Sequence, residues 1–191
     1  MQFGAPRNNL NGHGRNVPIT VHGKDFHLTS PPCTAPFGIT RRTNDQTESI
    51  SLALRPLQAN SNHMLFLSKL DEKIVKWAHA NQEAVFGVKN KPLEVISDRF
   101  YKSIKQSNKD YPAFFEGKMK FKDGTPTFKL TDAENNEIEN IEKNSTVTAV
   151  ISYPSLWISS SGFGLNAKLV KAVISPPVNT NIASYAIVDE M

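Results

Sequence analysis

The spacing of hydrophobic positions changes twice along the chain. ESISLALRPL alternates, with Ile50, Leu52 and Leu54 on one side and Ser49, Ser51, Ala53 and Arg55 on the other, which predicts a half-buried strand. Residues 17–22 (VPITVH) predict a shorter strand before it, and the prolines of LTSPPCTAPFG confine that stretch to loop or sheet edge. From Ser61 the step becomes helical, with Leu67, Leu70, Ile74 and Trp77 opposite Lys69, Glu72, Lys73 and Lys76. Gly87 and VKNKP end that helix, and Pro92 suits the first turn of a second helix, whose face is Leu93, Ile96, Phe100 and Ile104. After Tyr111 the alternation returns. Phe115, Gly117, Met119 and Phe121 oppose Glu116, Lys118, Lys120 and Lys122, and Asp123-Gly124 supplies a hairpin turn. The β-branched run STVTAVISY, then SLWIS and GFGLNAKLVKAVIS, complete the strands.

Strands, two helices, then strands again predict an α+β class, mainly β with an α insertion. A five-stranded barrel carrying a two-helix insertion at about 61–107 meets that order. A length of 191 residues suits one core, so residues 17–175 are expected to form a single domain. Residues 1–16 are rich in Gly, Asn and Arg without an apolar period and read as a flexible arm. Residues 176–191, after Pro176-Pro177, read as a loose tail. No internal repeat is visible, which excludes solenoids. The chain has no apolar run long enough to span a membrane, and its start lacks the layout of a secretory signal, so an intracellular address without membrane partners is expected.

Charge adds a direction. The net charge of +4 and pI near 9.1 are mild, but Lys118, Lys120 and Lys122 at two-residue spacing place three ammonium groups on one strand face. Such a row serves as a phosphate track or as a solvated, aggregation-resistant edge. Arg41 and Arg42 extend a cationic path, as do Arg7 and Arg15. Lys102, Lys105 and Lys109 read instead as the solvated face of the second helix. Tyr153, Trp157 and Phe163 fall close together in YPSLWISSSGFG, where Pro, Ser and Gly interrupt the strand. Their rings either stack bases at a barrel mouth or anchor the core.

Catalytic chemistry finds no foothold. His22, His27 and Cys33 match no common zinc spacing, and no metal or other cofactor is expected. The lone Cys33 rules out an internal disulfide. GFG at 162–164 is turn chemistry rather than a phosphate loop, and the pairs Asp71-Glu72 and Asp189-Glu190 sit on a helix face and a tail. A non-enzymatic role without a small-molecule substrate is the expectation.

The segment from Phe114 to Ile174 resembles the single-stranded-DNA-binding proteins of podophages and related proteins of large nucleocytoplasmic DNA viruses. The shared features are a charged hairpin (Lys118 to Asp123), an acidic turn (Thr131 to Asn136) and a β-branched strand (Ser145 to Tyr153). An aromatic stretch (Leu156-Trp157) and a glycine turn into a last strand (Gly162 to Val173) complete them. The resemblance implies an oligonucleotide-binding (OB) barrel and sequence-tolerant binding of single strands, DNA in preference to RNA, in viral replication, recombination or repair. It also implies a place in the host cytoplasm, at a virus factory, or in the nucleus, or in the virion. Family members end in an acidic tail, whereas this chain ends YAIVDEM. The competing reading is a virus structural, minor capsid or scaffold component that self-associates through its terminal extensions.

Overall fold

The computed structural model of the protein describes residues 1–9, 14–44, 47–58, 61–106 and 111–175. At the N-terminus, β1 (Gln2–Phe3) and β2 (Arg7–Asn8) pair antiparallel with β3 (Arg15–Val21). Phe3 lies opposite Ile19 and stacks on Trp77, with ring centroids 4.4 Å apart. Residues 2–3 and 7–8 therefore pair into the sheet, where the sequence predicts a flexible arm over 1–16. Edge hydrogen bonds and one aromatic anchor dock a segment that shows no apolar period. Residues 10–13 of that arm, and the tail expected over 176–191, lie outside the described residues.

Residues 24–34 form short strands, β4 (Lys24–Asp25), β5 (His27–Thr29) and β6 (Cys33–Thr34); β4 and β5 each pair with one strand, whereas β6 pairs on both sides, which corrects the loop or sheet edge expected from the prolines around it. β7 (Ile39–Asn44) and β8 (Thr47–Pro56) pair antiparallel, and β8 buries Ile50, Leu52 and Leu54 as its alternation requires.

The insertion follows β8 and contains three helices among the described residues rather than two. α1 (Asn62–Ala80) starts at Ser61, whose hydroxyl accepts from the Met64 amide at 3.3 Å, and it buries Leu67, Leu70, Ile74 and Ala78. α2 (Gln82–Phe86) closes on Gly87 at φ 71°, the left-handed conformation that glycine tolerates. α3 (Leu93–Ser97) is short, and Phe100 and Ile104 are not on it. The chain leaves the helix because β9 (Phe100–Tyr101) finds a sheet partner: it pairs parallel with β15 (Phe163–Ser175), and the Phe163 amide donates to Arg99 O at 3.0 Å.

β10 (Phe115–Met119) pairs with β8, and its apolar residues Phe115 and Met119 are buried. β11 (Phe121–Lys122) and β12 (Thr125–Pro126) form a separate two-stranded ribbon around Asp123-Gly124, both at positive φ (51° and 77°), as the sequence predicts for a tight hairpin turn. β13 (Lys129–Thr131) adds to one edge of β15.

The last two long strands organise the rest. β14 (Thr146–Ile158) runs antiparallel to β15, and the pairings lead from β14 through β15, β10, β8 and β6 back to β14. The β10–β15 link is a single register pair, Lys118 with Lys168. With the short edge pieces the main sheet counts 13 strands, more than the five expected from the sequence. The architecture is mainly β, with the helices inserted between β8 and β9.

One irregularity matters for function. Val147, Ala149, Ile151 and Tyr153 are buried, but beyond Pro154 the buried positions become Leu156 and Ile158. The register with β15 shifts between Ser152 and Ser155, where a residue without an amide proton costs the ladder no bond. The strand is thus continuous to Ile158, where Pro154 and the serines predict an interruption. The extra residue swaps the faces, so Tyr153 points into the core and Trp157 does not, although they are four residues apart.

Candidate nucleic-acid interface

Trp157 sits opposite Gly164 in the β14–β15 register and is partly exposed. Gly164 is where a side chain is excluded: a Cβ there would lie 3.1 Å from Trp157 Cζ2 and from Tyr101 O. A Cβ on Gly162 would stand 2.4 Å from Arg99 O and 2.7 Å from Tyr101 Cε2. The two glycines of GFG therefore let β9 and its aromatic close on the strand, a role beyond the turn chemistry expected of them. Tyr101 lies beside Trp157 with centroids 5.2 Å apart at 55°, and is 56% exposed.

The two rings open onto a cavity of about 240 Å³ that is also lined by Lys102, Lys105, Glu116 and Lys118. Ser103 anchors this wall. Its amide and hydroxyl both donate to the buried carboxylate of Asp71 on α1, at 2.8 and 2.6 Å. Burial raises the Asp71 pKa above the ordinary carboxylate range, and the two Ser103 bonds oppose that rise. A carboxylate is thus held in the interior to fix a segment carrying Tyr101, Lys102 and Lys105 along the cavity.

Lys118 is the hinge of the charge distribution. Partial burial, then the charges of Lys120 and Lys105, hold its ammonium below the ordinary lysine value, against the attraction of Glu116. A second cavity adjoins the first at Lys118 and is lined by Arg41, Lys120 and Phe121. Phe121 is 47% exposed and meets Phe128 edge-on at 5.5 Å. Cations and exposed rings therefore follow one another from Tyr101 and Trp157, past Lys118, to Lys120, Arg41 and Phe121.

Five of the eight residues singled out from the sequence line these cavities, Lys118, Lys120, Trp157, Arg41 and, beneath the first, Tyr153, and Arg42 lies against them through Glu116. Arg41 and Arg42, adjacent on β7, take opposite faces; Arg41 lines the second cavity, while Arg42 pairs with Glu116 at 4.0 Å. The expected row of three lysines is broken after Met119, where β10 ends, and Lys122 belongs to the separate ribbon.

Tyr153 and Phe163 change role. Tyr153 is 1% exposed beside Phe26, and burial raises its phenol pKa; Phe163 is fully buried between Phe86 and Phe100, with centroids at 5.0 and 5.1 Å. A ring without an exposed face cannot stack a base, so both are core anchors. Tyr101, Lys102, Lys105, Phe121 and Glu116, none of them among those eight, also line the cavities. A strand period over Phe100-Tyr101, inward then outward, was the available signal for Tyr101, but the helical reading of 93–104 masked it.

Elsewhere, Cys33 is buried with its thiol donating to Pro31 O at 3.2 Å, and burial pushes its pKa up to about 11, which suppresses nucleophilicity. Among the described residues no three His, Cys, Asp or Glu side chains are grouped to hold a metal, and no helix is long and apolar enough to cross a membrane.

No protein-family model matches the chain, and no curated protein matches it in sequence. Solved structures do match its fold. The single-stranded DNA-binding protein from bacteriophage Enc34, in complex with ssDNA, aligns with a TM-score of 0.51 at 15% identity, over 92% of this chain and 96% of that one. A C-terminal truncation of the same phage protein aligns at 0.50 with 15% identity, over 92% and 95%. The chain therefore shares, across nearly its whole length, the fold of a phage single-stranded DNA-binding protein, in keeping with the resemblance drawn from Phe114 to Ile174.

Proposed function

We propose that this protein binds single-stranded DNA, without sequence preference and without transforming it, along the groove from Tyr101 and Trp157 to Phe121. The observation that carries the reading is an exposed Tyr101 ring on a partly exposed Trp157, set beside Lys102 and Lys118 in one cavity. Sequence-tolerant binders combine rings, on which any base can stack, with a cationic path for the backbone. Lys102, Lys118, Lys120 and Arg41 meet phosphates; Tyr101, Trp157 and Phe121 meet bases. The circuit of pairings β14–β15–β10–β8–β6 supports reading the sheet as an OB-type barrel, and a role in viral DNA replication, recombination or repair follows from that chemistry. The structural or scaffold alternative rests on two terminal extensions, and the strand pairing of residues 2–3 and 7–8 speaks against the first.

The test is fluorescence anisotropy of labelled oligo-dT titrated with the protein at several salt concentrations, with oligo-rU and a duplex in parallel. Binding to oligo-dT that falls linearly in log affinity against log salt is expected. A folded protein that leaves oligo-dT free at about 50 mM salt would end the proposal.

A further inference from the structure

We propose that Glu116 is a built-in competitor for phosphate: a carboxylate that occupies Lys105 in the groove and Arg42 beside it until a nucleic-acid strand displaces the carboxylate. The inference rests on the groove reading above and adds a control on its affinity. Glu116 shares a face of β10 with Lys118, by the two-residue period, and lines the same cavity. Its side chain is only 13% exposed, yet each carboxylate oxygen faces a cation from a different part of the chain. Oε2 accepts from Lys105 Nζ, and Oε1 lies 4.0 Å from Arg42 Nη2.

An anion at the centre of a cationic groove is costly for a phosphate binder. The donors that hold a carboxylate hold a phosphate equally well, because both present anionic oxygens to N–H groups. When phosphate takes Lys105 and Arg42, the carboxylate remains nearby as an unpaired like charge in a half-buried place, where screening by salt is weak. Affinity is thereby held below what the groove's cations would otherwise deliver. The exchange also releases fewer counterions per nucleotide, since these two cations begin the reaction already neutralised.

Glu116→Gln keeps the shape and removes the charge. Its affinity for oligo-dT should rise roughly three- to tenfold at low salt, and its log–log salt slope should steepen by about 0.7 for each phosphate newly engaged. Glu116→Asp, which keeps the charge, should show no gain. Lys105→Gln should weaken binding more in the Glu116→Gln background than in the wild-type one, a coupling that a double-mutant cycle isolates. Unchanged or weaker binding by folded Glu116→Gln overturns the proposal. Should that variant not fold, Glu116→Ala takes its place: a gain in affinity for oligo-dT supports the masking, and unchanged or weaker binding by the folded variant refutes it. Absence of oligo-dT binding by the wild-type chain would defeat the groove reading itself, an outcome distinct from wild-type binding that the glutamine leaves untouched.

Discussion

Replacing Tyr101 by alanine removes a ring that the structure leaves 56% exposed and supports on Trp157. Its buried part amounts to about 90 Å², so at ~25 cal/mol/Å² the loss of stability is at most about 2 kcal/mol. The loss of binding is expected to be larger in effect. Stacking of one base on an aromatic is worth ~1–3 kcal/mol, which corresponds to roughly 5- to 150-fold in affinity for oligo-dT. Phe163 is the control. It is fully buried, so truncation to alanine would cost about 3–5 kcal/mol of stability, and Phe163→Leu is the gentler substitution. Phe163→Leu should lower the urea midpoint while the folded protein binds within about twofold of wild type. Anisotropy titrations of labelled oligo-dT at low salt, paired with urea unfolding of each variant, separate the two quantities. The reasoning fails if folded Tyr101→Ala binds as wild type, or if Phe163→Leu loses as much affinity as Tyr101→Ala.

Three further outcomes are expected. Replacing Lys118 and Lys120 together by glutamine should reduce the log–log salt slope for oligo-dT by about 1.4, at ~0.7 per phosphate contact; an unchanged slope in a salt titration would remove both from the track. Gly162→Ala sets a Cβ 2.4 Å from Arg99 O, so β9 must shift; a stability loss of roughly 1–3 kcal/mol and weaker oligo-dT binding should appear together in melting and anisotropy measurements. Asp71 has a folded pKa raised by burial above its unfolded value, so the folded state takes up a proton first and this group's contribution to stability increases as pH falls through the folded pKa. Asp71→Asn should therefore gain most relative to wild type at neutral pH, with the difference shrinking on acidification; a pH-independent difference in urea unfolding would show that Asp71 does not titrate in that window.

Local pattern alone determined much of the β framework. The alternation of Ile50, Leu52 and Leu54 in β8, the Asp123-Gly124 turn and the helical face Leu67, Leu70, Ile74 of α1 each follow from periodicity or from a residue's own φ preference, and each stands in the structure. Those properties depend on neighbours a few residues away. The lysines at 118 and 120 and the ring at 157, which line the two cavities, are picked out by residue type and spacing for the same reason.

Tertiary contacts decided the rest. The register shift at Pro154 inverts the faces of β14, which sends Tyr153 inward and keeps Trp157 at the groove, and no spacing rule anticipates a slip that depends on the pairing with β15. Tyr101 joins the site because β15 offers β9 a parallel partner beside two glycines that leave it room. Lys105 and Arg42 meet on Glu116 from segments far apart in sequence. Periodicity assigns each residue to a face of its own element; which faces meet, and with what register, is settled by pairings between distant strands.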